Sequence, residues 1–268
     1  MMMTDSRLDA ALAARGLARS RTHAVSLITA GLVTVDGKPV VKAAAKVREN
    51  QLIEVAGTDD YVSRGAHKLN AALDAFGLSA EGRIALDAGI STGGFTQVLL
   101  ERGAARVIGI DVGHGQLSPL LATEERLALV EGFNVRDMSP SSLAGASGIT
   151  DRPDLVVADL SFISLPLVLP ALVDSAVDDA DFVLLIKPQF EVGKSGIREG
   201  IVKDAGRRAD AVSNVLWAGF DLGVGTAGLT PSPIAGGAGN HEYLVWMSRS
   251  RGSNPTEWLS LVSSMTGV

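Results

Sequence analysis

The amino-acid sequence predicts an α/β protein: a mainly parallel, doubly wound sheet preceded by a small α+β domain. Three observations carry that expectation. Five apolar runs of strand length (RIALDAGI, RVIGIDV, LALVEG, LVVADLSF and FVLLIKP) are separated by stretches long enough for crossover helices. The first run leads into a glycine-rich turn, LDAGISTGGF, of the kind that opens a helix beside a ligand crevice. Before residue 60 the pattern is different in kind and reads as two short helices and a hairpin.

The elements of the first part follow in order. LDAALAARG has apolar residues at helical spacing and stops at Gly16. Ser20 stands where it can cap a second helix running to Gly31. LVTVDG alternates as a strand and turns at Asp36-Gly37, and QLIEVAG closes the sheet. Residues 1–60 therefore read as one domain, 61–64 as a linker that could reorient, and 65–268 as a second domain.

Composition narrows the function classes. The chain has 268 residues, 46% of them apolar, and no cysteine, which excludes a disulfide scaffold and a thiolate metal site. Its start is polar, and the apolar runs carry Asp or Pro, so neither a signal segment nor a membrane span is expected. The expectation is a soluble, cytoplasmic protein. The net charge of −6 is unevenly spread. Residues 1–68 hold ten Lys or Arg against seven Asp or Glu, and the remainder fourteen against twenty-three. The N-terminal part is thus the candidate contact for a polyanion. Arg15, Arg19 and Arg21 cluster around the start of the second helix, and Arg7, Lys42 and Arg64 complete a candidate phosphate-binding set. The alternative is that these stems only cover apolar surface.

In the second part, Asp87, Gly89, Ser91, Thr92, Gly93, Gly94 and Phe95 form the glycine turn and its flanks. The spacing G-x-x-x-G-G matches neither the dinucleotide fingerprint nor the P-loop. Asp111 ends the second strand, twenty-two residues after Gly89, where a carboxylate can accept both ribose hydroxyls of an adenosine cofactor. The third strand is expected to end at Asn134 and Asp137, with Asn134 the preferred partner of an adenine amine. Phe162 reads either as a wall for the cofactor or a turned-out base, or as a core aromatic. The four histidines, His23, His67, His114 and His241, are scattered, so no metal is expected. Four further residues sit where strand ends open onto one crevice: Lys68 in SRGAHKL, Asp159 after the fourth strand, Lys187 after the fifth, and Glu242 near the last strands. No Asn- or Asp-Pro-Pro-aromatic string follows the fourth strand, and the chain has no cysteine nucleophile.

These strings carry a resemblance. RLDAALAARGLARSRTHAVSLITAGLVTVDG and the closing IEV resemble the S-four RNA-binding domain. The glycine turn resembles the first motif of class I methyltransferases, which implies S-adenosylmethionine as cofactor. The set Lys68, Asp159, Lys187, Glu242 is similar to the tetrad of ribose 2′-O-methyltransferases related to the heat-shock rRNA methyltransferase. With SRGAHKL, VADLSFIS and KPQFEVGK, the chain resembles the hemolysin A family of rRNA cytidine 2′-O-methyltransferases over roughly residues 6–248. The resemblance implies a class I (Rossmann-like) methyltransferase domain, ribosomal RNA as partner, and Lys187 beside the acceptor hydroxyl. Two other classes remain open at this level: a membrane-active hemolysin, and a non-catalytic ribosome-assembly factor.

Overall fold

The computed structural model describes residues 6–18, 20–29, 31–55, 61–193, 200–236 and 239–268. The chain forms two compact units, Met1–Asp60 and Tyr61–Val268. In the first, helices α1 (Leu8–Ala14) and α2 (Arg21–Thr29) pack against short strands. The strand β2 (Val33–Val35) pairs antiparallel with β3 (Lys38–Pro39) and β5 (Ile53–Val55), while β1 (Ser6–Arg7) pairs with β4 (Lys46–Val47). The hairpin turns at Asp36-Gly37, both with positive φ (49° and 74°), a geometry that matches strand twist and favours Asx-Gly. Ser20 caps α2 by accepting from the His23 N–H at 3.1 Å. Leu8, Leu12, Ala24, Ile28 and Val33 are fully buried and form a separate small core.

Three cationic side chains of this unit have partners within it. The Arg15 guanidinium donates to the carbonyls of Gln51 (2.7 Å), Arg48 (2.8 Å) and Glu49 (3.1 Å). It ties the end of α1 to the segment between β4 and β5. Arg21 pairs with Asp9 at 3.0 Å, and Arg7 meets the other oxygen of the same carboxylate at 3.0 Å.

The second unit is built on a seven-stranded sheet in the order β11-β12-β10-β9-β6-β7-β8. Its parallel strands are β6 (Ile84–Ala88), β7 (Arg106–Asp111), β8 (Leu127–Glu131), β9 (Leu155–Ala158) and β10 (Asp181–Ile186). The strands β11 (Gly225–Pro231) and β12 (Tyr243–Ser248) run antiparallel at one edge. Side chains alternate between faces, as a pleated strand requires. Leu86, Ile108, Val156 and Leu184 enter a core that includes α6 (Leu169–Ser175) and α8 (Ala205–Asp221). Ala85, Val107, Val157 and Leu185 enter another, against α3 (Gly65–Phe76) and α4 (Gly94–Glu101). Strand order reverses between β6 and β9, which opens a crevice at their C-terminal ends. Tyr61 and Val62 belong to this unit's core, and the Val62 N–H donates to Gln97 Oε1 at 2.8 Å.

Removing the Arg15 guanidinium should loosen the N-terminal unit. Arg15→Ala is expected to cost about 1 kcal/mol, because three carbonyl bonds on an exposed surface are exchanged for water. Hydrogen exchange in the full chain should quicken at Arg48–Gln51; unchanged protection there would show that the guanidinium is not a staple.

Candidate active site

The crevice is shaped by the glycine turn. Gly89 has φ +85°, and a Cβ there would stand 3.0 Å from the Asp159 carbonyl oxygen and 3.1 Å from Leu160. Only glycine lets the end of β6 approach the end of β9 this closely. Gly93 has φ +94°, and a Cβ would fall 2.3 Å from a Leu121 methyl, so the start of α4 is equally constrained. The cleft holds about 590 Å³ and is lined in part by Gly89, Ser91, Asp111, Gln116, Phe133, Asn134, Asp159 and Phe162. Asp87, Thr92, Gly93, Gly94 and Phe95 lie outside that lining, in the turn and its flanks. Phe95 in particular is buried in the core beneath α4.

Asp111 locks the turn in place. Its Oδ2 accepts the Ser91 N–H at 2.9 Å and its Oδ1 accepts the Gly113 N–H at 2.8 Å. Each carboxylate oxygen keeps a lone pair for a further donor. Asn134 lies beyond the strand, which ends at Glu131; its Oδ1 caps a short 3₁₀ turn through the Arg136 N–H (3.1 Å), and its amide donates to Asp137 (2.9 Å). The expectation of a strand reaching Asn134 fails because Gly132, with φ +68°, ends it.

Four charged side chains from four elements meet at the crevice. Lys68 comes from α3, Asp159 from the tip of β9, Lys187 from the end of β10, and Glu242 from the residue before β12. Lys68 Nζ lies 2.6 Å from Glu242 Oε2 and 3.9 Å from Asp159 Oδ2. Lys187 Nζ lies 2.6 Å from Asp159 Oδ1, as an ion pair without hydrogen-bond alignment, and donates to Ser161 Oγ at 2.9 Å. The exposures of Lys68, Lys187 and Glu242 are 8%, 9% and 4%. Such burial is tolerated only because each charge faces an opposite one. Asp159 is the shared member, with one lysine at each oxygen.

Two neighbours complete the picture. Ser161, two residues past Asp159, is a site residue that the sequence reading passed over; the string D-x-S at a strand tip is its only signal. Phe162 is 91% exposed and has φ +65°, so the core reading of this ring is wrong. Its ring stacks obliquely on Phe190, 5.2 Å between centroids.

Asp87 stands at the foot of the turn, wholly buried. Its Oδ2 accepts from Thr96 Oγ1 at 2.7 Å, and its Oδ1 has no partner. Burial pushes its carboxyl up to about 7, with the nearby Asp159 and Asp111 adding to the effect against the Thr96 bond.

In the N-terminal unit, Arg7 and Arg21 flank Asp9, whose carboxyl the Arg7 guanidinium beside it holds far below the usual carboxylate range. Lys42 is exposed, as is Arg64 in the second unit, and Arg19 lies outside the described residues.

The strand order and the glycine turn with a carboxylate at the next strand tip define a class I methyltransferase fold. The FtsJ-like methyltransferase family matches residues 61–249, and the S4 domain matches residues 6–53. The 16S/23S rRNA (cytidine-2′-O)-methyltransferase TlyA of Mycobacterium tuberculosis is 49% identical, over 92% of this chain and 91% of its own. Hemolysin A of Brachyspira hyodysenteriae is 38% identical over 89% and 98%. The solved structure of a hemolysin-named protein from Streptococcus thermophilus superposes with a TM-score of 0.76 at 36% identity, over 99% and 97% of the two chains. This chain belongs to the FtsJ-like methyltransferase family and carries an S4 domain ahead of that fold. Among the described residues no helix is long and apolar enough to cross a membrane.

Asp87 makes stability depend on pH. Between its ordinary value of 3.8 and about 7, the unfolded chain has lost the proton that the folded protein keeps. Stability should therefore fall as pH rises through that window, by up to about 1.4 kcal/mol per pH unit. Asp87→Asn should flatten this slope in the cofactor-free protein. Denaturant titrations at pH 5 and pH 8 check it; equal slopes in both proteins would show that the carboxyl ionises at its ordinary pH.

Proposed function

We propose that this chain transfers a methyl group from S-adenosylmethionine to the ribose 2′-hydroxyl of cytidine in ribosomal RNA, in the cytoplasm. The observation that carries the reading is the paired cluster Lys68–Glu242 and Lys187–Asp159 beside the glycine-turn cleft. The relatives support it, since the Mycobacterium tuberculosis protein bears the cytidine 2′-O-methyltransferase name.

The residues present fit the cofactor. The spare lone pairs of Asp111 suit two ribose hydroxyls. The buried, unpartnered Oδ1 of Asp87 suits the ammonium of the methionine part. Phe133, Leu160 and Ile163 give the cleft apolar walls for an adenine ring. When bound, S-adenosylmethionine supplies a methyl group on a sulfonium that is already reactive, so the protein's work is orientation and proton handling.

Lys187 performs the proton handling. As a neutral amine it takes the proton of the 2′-hydroxyl at Nζ; as an ammonium it stabilises the oxyanion that attacks the methyl carbon. Asp159 fixes the direction of that nitrogen from one side and Ser161 from another. Lys68 and Glu242 hold Asp159 from behind: Lys68 reaches its far oxygen, and Glu242 keeps Lys68 paired. The S4 domain supplies RNA capture, with Arg7, Arg21 and Lys42 among its exposed cations, and Arg64 adds one at the start of the second unit.

Lys187→Ala should leave S-adenosylmethionine and RNA affinity nearly unchanged and lower single-turnover methyl transfer roughly a hundredfold. Lys187→Arg should not restore it, because a guanidinium keeps its proton and has another shape. Near-normal rates in Lys187→Ala would remove the basis for a hydroxyl acceptor. Asp111→Asn should weaken the cofactor about tenfold, on the order of 1.4 kcal/mol, by calorimetry; unchanged affinity would exclude Asp111 as the ribose partner. The defining experiment maps ribose methylation across ribosomal RNA from cells with and without this protein. No lost methyl group would favour a binding factor without catalysis.

A further inference from the structure

Glu191 has no part in the chemistry above, yet it is tied to the catalytic loop on both of its oxygens. It ends α7 (Pro188–Glu191), the short helix that begins directly after Lys187. Its Oε2 accepts from Ser164 Oγ at 2.6 Å and its Oε1 accepts the Leu165 N–H at 2.9 Å. Leu165 opens a 3₁₀ turn whose own preceding residue, Ser164, makes no side-chain cap. A carboxylate from a distant element supplies the missing cap, where it also meets the positive end of the turn. Burial pushes this carboxyl above the ordinary glutamate range, against the two bonds it accepts.

The Glu191 bonds are one rung of three. In chain order, Lys187 holds Asp159 and Ser161, Phe190 stacks on Phe162, and Glu191 holds Ser164 and Leu165. The segment 159–165 and the segment 187–191 thus run alongside each other, cross-linked at the start, middle and end. The middle rung cannot hold itself. Phe162 is exposed and sits in the left-handed region, which a phenylalanine adopts only when its surroundings impose it. The first rung has a single directional bond, Lys187 to Ser161, beside an ion pair that lacks hydrogen-bond alignment. Only the last rung combines two directional bonds with an anchor in the core, because Leu165 is 2% exposed.

We propose that Glu191 is a positioning residue: by clamping Ser164 and Leu165 it holds the loop 159–165 in the register at which Asp159 and Ser161 align the Lys187 nitrogen. The inference rests on the reading of Lys187 as the group that handles the acceptor proton. It predicts a loss of rate rather than of binding, since a misplacement of about 1 Å can cost on the order of a hundredfold.

The test uses the full chain, radiolabelled S-adenosylmethionine and ribosomal subunits from cells lacking the protein, in single turnover with both partners saturating. Glu191→Ala should lower the rate ten- to a hundredfold, while cofactor and RNA affinity, measured separately, stay within about threefold. Glu191→Gln should recover most of the rate, because its amide oxygen still accepts from Leu165 and its amide N–H can donate to Ser164. In a Lys187→Ala background, Glu191→Ala should add less than about twofold, since there is no nitrogen left to align. A general structural defect would multiply with Lys187→Ala instead, and that result overturns the proposal. So does a folded Glu191→Ala with the wild-type rate beside a disabled Lys187→Ala. An unimpaired Lys187→Ala would overturn the proton-handling reading itself, and this proposal with it. If Glu191→Ala does not fold, Ser164→Ala carries the same test: it removes one of the two bonds and should lose several-fold in rate, again absorbed by the Lys187→Ala background.

Discussion

Two lysines and two carboxylates are drawn out of water at one point, and everything around them must supply compensation. Lys68 and Glu242 are 174 residues apart in sequence, yet their charged atoms lie 2.6 Å apart in a region with almost no exposure. A lone buried charge of this kind would cost several kcal/mol. The pairing is therefore a condition on the fold: α3, the tips of β9 and β10, and the approach to β12 must arrive together. The antiparallel strand β12 lies between β11 and β10, with Tyr243 paired to Ile186, and this register delivers Glu242 next to Lys187.

The parallel strands were legible because each is an apolar run bounded by a turn, and both faces of the sheet are covered. The glycine turn was legible because the close approach of β6 to β9 leaves no room for a Cβ at Gly89. The four charges could be placed on strand ends by counting alone. Other features were beyond counting. The strands β1 and β4 are two residues each and leave no periodicity to find. Arg15 looks like any surface arginine, and its three carbonyl partners lie more than thirty residues away. Phe162 belongs to an apolar run, and only its backbone conformation turns it outward. Side-chain partnership across long separations is decided by tertiary packing, which local sequence does not encode.

The N-terminal unit treats its cations differently from the catalytic unit. Asp9 takes one bond from Arg21 and two from Arg7, and the cluster keeps a net positive charge. A guanidinium has five donors, so both arginines retain N–H groups that point away from Asp9. The carboxylate sets their spacing before any RNA arrives, and a pair held in place loses less side-chain entropy on meeting a phosphate than two free arginines would. Arg15, by contrast, uses its fork on the chain's own carbonyls. The same residue type thus meets a carboxylate at two positions and carbonyls at a third, and the difference lies in what each can reach.

Asp159 joins the two halves of the proposed active site. Its backbone carbonyl closes over Gly89, where the cofactor cleft begins, and its carboxylate stands between Lys187 and Lys68. Methyl transfer requires the leaving sulfur, the methyl carbon and the acceptor oxygen in one line, with the proton acceptor beside that oxygen, and the tolerance is a fraction of an ångström. With backbone and side chain of one residue touching both compartments, a displacement of the glycine turn moves the Lys187 partner along with it. The donor side and the acceptor side are then referenced to the same atoms. A site in which separate residues governed the cofactor turn and the lysine would need two independent sets of contacts to reach the same alignment, and flexing between them would spend the advantage that the buried charge pairs create.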